Sequence, residues 1–225
     1  MTEPAIPSKN PADDGSLGAM LKATMDKYMK DVDGMLPATV ISYNRVTNRA
    51  TVAPSIVKMM TNGEQLVRAP LADIPVLAIG GGDFCLTFPL KPGDTGWIEA
   101  SDRDVSAWLQ GSGKRRAQPN THRTHSFSDG RFIPDKLADF TLPPEAEGGV
   151  CLQHKSGACA IIITEEKIIF KGPVEMLDAV DMKKTLAVTG KSTMDGGASI
   201  GSIEFGTHKH NGVQPGSGTS GGPTA

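Results

Sequence analysis

Between Gly172 and Gly206 apolar residues recur in pairs two apart, and the pairs step forward by six. They are Val174/Met176, Val180/Met182, Leu186/Val188, Ser192/Met194 and Ala198/Ile200. Residues two apart share one face of a strand. A constant step repeated five times marks stacked short strands, a β-solenoid-like element in which each turn rests on the last. One such strip buries a single narrow stripe and leaves edges, so alone it has too little core to persist. Identical chains wrapped round a shared axis solve both problems, because each lends its stripe to a common interior and closure removes the edges. The first member of each pair falls from Val, Val and Leu to Ser and Ala, which predicts a core narrowing towards the C-terminus.

Composition agrees with such an architecture. The 225 residues include 26 Gly and 16 Pro, but only 5% are aromatic. So much backbone punctuation with so few large core side chains disfavours a compact α/β enzyme and suits short strands and tight turns. A net charge of −2 gives no electrostatic footprint for nucleic acid. No stretch approaches the roughly 20 apolar residues of a membrane span. The opening Met1-Thr2-Glu3-Pro4 lacks the basic and apolar regions of a signal peptide. Cys85, Cys151 and Cys159 are an odd number, which predicts a reducing compartment and no disulfide framework.

Upstream of the hexads, residues 1–15 read as extended or disordered. Leu17, Met20, Leu21, Met25, Tyr28, Met29 and Val32 then follow helical spacing, with Ser16 as a cap and Gly34 as a stop. This stripe is expected to pack on its own domain, docking to a neighbouring subunit being the alternative. Residues 36–110 read as about five short strands joined by turns. They include a hairpin over 38–53 turning at Asn44–Asn48 and an edge or irregular strand over 69–78, whose prolines bar it from a sheet centre. That count and spacing match a closed or partly closed barrel of the OB type. Residues 111–148 read as a long polar connection, followed by further β structure at 149–152 and 158–171.

After the hexads comes Phe205-Gly-Thr-His-Lys-His-Asn-Gly212. On a strand, His208 and His210 point to one face and Lys209 to the other. Two imidazoles are an incomplete metal site. Three chains meeting on an axis would supply six nitrogens, which suits octahedral coordination and argues against structural zinc, a tetrahedral ion. Iron, nickel and cobalt all satisfy that count. With no open coordination position, the ion's role would be to pin three chain ends together. Cys151, His154 and Cys159 have no evident fourth ligand and read as ordinary strand and turn residues. His122 and His125 read as surface histidines, Asp102-Arg103-Asp104 as an exposed charge cluster, and Lys114-Arg115-Arg116 as a basic run too short for nucleic acid. No P-loop, nucleophile elbow, metalloprotease or dinucleotide fingerprint is present.

The order of parts resembles the central baseplate spike, or membrane-piercing tail needle, of contractile-tailed bacteriophages and related R-type bacteriocins. The likeness rests on Gly82-Asp83-Phe-Cys-Leu-Thr-Phe-Pro89, Pro92-Gly-Asp-Thr-Gly96, Arg123-Thr-His125, Ser128-Asp129, the hexads, and above all the ending from Thr207 to Pro223. It implies an all-β homotrimer whose N-terminal OB-fold barrel is followed by a trimeric intertwined β-helix with a metal-capped apex. The corresponding divisions are an N-terminal extension with one helix at 1–35, the OB-fold domain at 36–130, and a connection and β-helix base at 131–171. A triple-stranded β-helix at 172–206 and the apex at 207–225 complete the chain. The resemblance further implies one iron ion per trimer, held by His208 and His210, with the Gly/Pro-rich tail folded back over it. Its implied partners are a baseplate hub or tail-tube protein, met through the N-terminal region, and the host outer membrane, met mechanically. The implied location is the baseplate tip of the virion, after assembly in the host cytoplasm. The family's larger relatives sometimes carry a lysozyme domain between barrel and needle; the connection here is too short for one, and no enzymatic activity is expected.

Two further readings belong to other classes. A trimeric tail-fibre adhesin for a surface glycan would need an aromatic or polar groove near its distal end, where Phe170 and Phe205 are the aromatics of the last 60 residues. A cell-wall hydrolase would need a working pair of carboxylates.

Overall fold

The computed structural model describes residues 15–60, 63–137, 139–207, 212 and 216. It divides into two units, Met1–Pro173 and Val174–Ala225.

Helix α1 (Leu17–Asp31) begins as its sequence predicts, with the Ser16 hydroxyl accepting from Ala19 N–H at 3.1 Å. Its apolar stripe does not pack on its own domain, correcting the expectation: no residue of the helix is buried. Among the described residues, the ion pairs and hydrogen bonds that tie the helix to the barrel lie at its root. Asp31 pairs with Lys58, and Asp33 receives Arg68 Nη1 at 2.5 Å and Phe127 N–H at 3.1 Å. Polar anchors at one end leave the helix body free of the barrel.

The hairpin of β1 (Met35–Asn44) and β2 (Arg49–Pro54) turns where expected. Asn44 Oδ1 accepts from Val46 N–H at 2.9 Å, and Asn48 takes the left-handed conformation. Two small hairpins follow on either side of an irregular strand. These are β3 (Lys58–Met59) with β4 (Gln65–Leu66), then β5 (Leu71–Pro75), then β6 (Ile79–Gly81) with β7 (Phe84–Leu86). Strand β8 (Thr95–Ser101), a short helix α2 (Ser106–Gln110) and β9 (Ser126–Pro134) complete the module.

The main sheet has the order β5-β2-β1-β8-β9. Its two outer strands approach one another. Leu77 N–H donates to Phe132 C=O at 2.8 Å, and Val76 bridges Phe132 in parallel. These contacts nearly close the sheet into a barrel, as an OB-like domain requires. The proline-bearing segment lies at the edge as β5, since a proline there removes no inner ladder bond. Inside are Ala38, Val40, Ala50, Val52, Ile74, Ile98, Phe127 and Phe132, so just two aromatics fill the described core. Gly96 permits this packing: a Cβ there would lie 2.6 Å from the Phe132 ring and 2.3 Å from Ile133 C=O.

Strand β9 corrects the reading of 111–148 as a mere connection. Its alternation is broken by a buried acid, Asp129, and by Gly130, so it carries no clean strand period. Beyond it, a single 3-10 turn (Pro144–Ala146) packs beneath a three-stranded antiparallel sheet. The strands are β10 (Val150–Gln153), β11 (Ala160–Ile163) and β12 (Ile168–Lys171), matching the β structure expected at 149–152 and 158–171.

In the second unit, residues 174–198 form no strand within this chain. Backbone-to-backbone hydrogen bonds of the described residues 174–198 lie at the far end of the segment, from Gly197 N–H to Met194 C=O at 3.1 Å and from Phe205 N–H to Ala198 C=O at 2.7 Å. The apolar members Val174, Met176, Val180, Met182, Leu186, Val188, Met194 and Ile200 are all 52–63% exposed. Regular pairing resumes only with β13 (Ser199–Ile200) and β14 (Ile203–Glu204).

Candidate functional site

The approach to the C-terminal tip is a tight hairpin. Ile200 lies opposite Ile203 and Ser199 opposite Glu204, and the two-residue turn Gly201-Ser202 has positive φ at both positions. That geometry matches strand twist, and Gly201 adopts its positive φ without a Cβ penalty. Phe205 N–H donates to Ala198 C=O at 2.7 Å, and Thr207 N–H to Glu204 C=O at 3.2 Å, so the chain leaves the hairpin in a defined direction. His208 and His210, the expected metal ligands, follow directly and lie outside the described residues.

The other candidates can be placed. Among the described residues no group of three His, Cys, Asp or Glu side chains is arranged to hold a metal ion. Cys151 lies on β10 with its thiol 3.1 Å from Gln153 Oε1, and His154 Nδ1 lies 2.8 Å from Ser156 Oγ in the turn before β11. Cys159 is exposed in that same turn region. These are strand and turn residues, as expected. His122 is exposed, and half-exposed His125 lies 3.8 Å from Asp102.

The Asp102-Arg103-Asp104 cluster needs correction. Asp102 is exposed, but Asp104 is buried. Its carboxylate accepts from Ser106 N–H at 2.9 Å and from Thr121 Oγ1 at 2.8 Å, and it lies 3.4 Å from the Arg123 guanidinium. The Ser106 and Thr121 hydrogen bonds, aided by the Arg123 charge, hold its carboxyl well below the usual aspartate range. Arg123 also grips Asp129, Nε to Oδ2 at 2.9 Å and Nη2 to Oδ1 at 3.0 Å. The two aspartates therefore flank one arginine inside the barrel wall and do not form an acid/base pair. Sequence spacing does not reveal this cluster, because Asp104, Thr121, Arg123 and Asp129 meet only after β9 pairs with β8.

Two family models match the chain. Residues 36–135 match the phage protein Gp138 N-terminal domain, and residues 205–224 match the GpV apex motif. Both matched families are those of baseplate spike proteins of contractile phage tails. No match was found among curated proteins.

The first match runs from within β1 to one residue past β9, so it takes in nearly all of the barrel-like sheet. The second begins at Phe205, where the β13–β14 hairpin ends, and its span includes His208 and His210. Both matched families are structural parts of phage tails, which gives the spike a structural role in the tail of the virion. Among the described residues no helix is long and apolar enough to cross a membrane.

Proposed function

We propose that three copies of this spike protein form a needle driven through the host outer membrane when the tail sheath contracts. The energy comes from the sheath, so the needle needs stiffness and a narrow apex, not a catalytic centre. The observation that carries this reading is the exposed hexad stripe. Eight apolar side chains at constant spacing stay more than half exposed, seven of them in a segment, 174–198, with no strand of its own. Such a stripe is costly to leave in water. Its backbone also forms no ladder within the chain between 174 and 198, and three interwound chains would supply one. Residues 172–206 are then the triple-stranded β-helix, 131–171 the connection and base, and 207–225 the apex.

At that apex His208 and His210 from each chain would hold one iron ion per trimer. The donor set fits such a group: two imidazoles per chain fall short of a site alone, and six from three chains suit octahedral coordination. The bound ion would cross-link three chain ends that otherwise tend to fray. At the opposite end of the sequence, the unburied apolar side of α1 supports docking to the baseplate hub or tail tube. Assembly in the host cytoplasm accords with the three free cysteines.

The test is metal analysis with light scattering on the purified full chain. The expected result is a trimer with about one transition-metal ion per three chains, the metal lost in His208→Ala/His210→Ala. Metal-free protein would overturn the apex, and a monomer would overturn the needle.

A further inference from the structure

The loop that joins α2 to β9 carries a surplus of positive charge. Residues 103–116 hold four cations and one acid, Asp104, in a chain whose net charge is −2. Asp104 is already taken by Ser106, Thr121 and Arg123. Lys114, Arg115 and Arg116 follow one another at the surface, and their side chains meet no acid among the described residues. Other arginines of the barrel are satisfied in their own chain: Arg49 by Asp73, Arg68 by Asp33, and Arg131 by Glu99. The run departs from that pattern.

The run is also held in place. Helix α2 is capped at Gly111, and Ser112 and Gly113 both take positive φ, which turns the chain back over Trp108. Gly113 N–H donates to Trp108 C=O at 3.0 Å, and a Cβ at Gly113 would come within 2.9 Å of the indole ring. Lys114 thus begins the run directly beside Trp108, which is 46% exposed. At the far end of the loop Thr121 Oγ1 donates to Asp104 at 2.8 Å, and Asn120 Nδ2 to Ser106 Oγ at 3.4 Å. Both ends are fastened near α2. Three cations and one indole are therefore presented with less conformational freedom to lose on binding.

We infer that this loop is a docking site for an acidic patch on another protein of the tail. The inference rests on the structural role in the tail, and not on the needle or its metal. The side chains specify the partner's chemistry. Each guanidinium favours a carboxylate that it can grip with two hydrogen bonds. The exposed indole beside them calls for an apolar notch in the same patch. Trp and Arg are also the residues that dominate binding energy between proteins. A lipid surface is a poorer match, because anionic headgroups are recognised by clusters of about four to eight cations, and this run has three. Nucleic acid is poorer still. Three phosphate contacts give weak, salt-sensitive binding, and one indole is no ladder of stacking aromatics.

Photo-cross-linking in assembled tail particles tests this. The full chain carries benzoylphenylalanine in place of Ala117, just past the run, or of Val46 in the β1–β2 turn, and both positions are exposed. Linked peptides are sequenced by mass spectrometry. The expected product at Ala117 is one other tail protein, joined through a segment rich in Asp and Glu that is absent from the Val46 products. In Lys114→Gln/Arg115→Gln/Arg116→Gln the yield should fall about tenfold or more. The thermal midpoint of that variant should not change, because these side chains support nothing in their own chain. Trp108→Ala should lower the yield as well. Products joined to a second copy of this chain, to lipid or to nucleic acid overturn the inference. So does a partner segment without acidic residues, or a yield that either variant leaves unchanged. A chain present in the particles without an Ala117 product overturns the inference alone, and a chain missing from them overturns it together with the tail role.

Discussion

Arg123 grips Asp129 through two parallel hydrogen bonds, at 2.9 and 3.0 Å, while its guanidinium also lies 3.4 Å from buried Asp104. One exposed arginine thus neutralises two carboxylates in the barrel wall. The contact spans the α2–β9 connection and fixes where β9 enters the sheet.

Removing that arginine leaves both acids without a charge partner, the costly direction for a buried pair. Arg123→Gln should lower the melting midpoint of the barrel by several degrees. Arg123→Lys should restore only part of the loss, because an ammonium cannot reproduce the two-pronged grip. Thermal unfolding followed by circular dichroism reads both. Equal midpoints for wild type and Arg123→Gln would refute a stabilising role.

The same cluster sets an acid limb. Asp104 has its folded value depressed, so its contribution is complete above the ordinary aspartate value of about 4. It is lost as pH falls towards the lower folded value. Glu145 and Asp139 act in the same sense, lowered chiefly by hydrogen bonds from Lys171 and Lys155. Stability should therefore fall as pH drops below about 4. Asp104→Asn should be less stable at pH 7 and show a flatter acid limb. Urea midpoints across the acid range decide it.

Phe132 is fully buried and its ring faces the hydrogens of Gly96. Phe132→Ala should cost about 3–5 kcal/mol, the usual loss for a large aromatic cut from a core. Gly96→Ala should cost about 1–3 kcal/mol by overpacking, because its Cβ would strike the β9 backbone as well as the ring. Combining Gly96→Ala with Phe132→Leu should recover part of the ring clash but not the Ile133 carbonyl contact. Equilibrium urea unfolding of the variants measures each value.

Helix α1 buries none of its residues, so its apolar side should be dispensable for the fold. Leu21→Glu/Met25→Glu should change barrel stability by less than about 0.5 kcal/mol. If the helix docks the hub, the same variant should fail to enter assembled baseplates. Incorporation at wild-type level, with folding intact, would rule α1 out as the docking element.

The parts of this chain legible in its sequence are those specified locally. Ser16 announces α1, Asn44 and Asn48 announce the first hairpin, and Pro70 and Pro75 mark an edge. Strand β9 is not announced, because Asp129 and Gly130 stand where an alternating pattern would place apolar residues. Only the distant Arg123 and a close approach to Glu99 make them fit. The α1 stripe misleads in another way. Helical spacing reveals that a face is apolar, but not which body covers it. The hexads stand out for the opposite reason, as their period belongs to no single-chain element and so points beyond the chain.

The in-chain ladder that ends at Lys171 also divides the work of folding. Every described strand up to β12 finds its pairing partner within one polypeptide, so these sheets can order at a rate independent of concentration. With the interwound needle proposed here, residues 174–198 find theirs only on neighbouring chains. Their ordering then waits on encounter between chains whose own sheets are already formed. Maturation of the needle should accordingly be slow in dilute protein and rapid in concentrated protein, while the barrel signal stays indifferent to both.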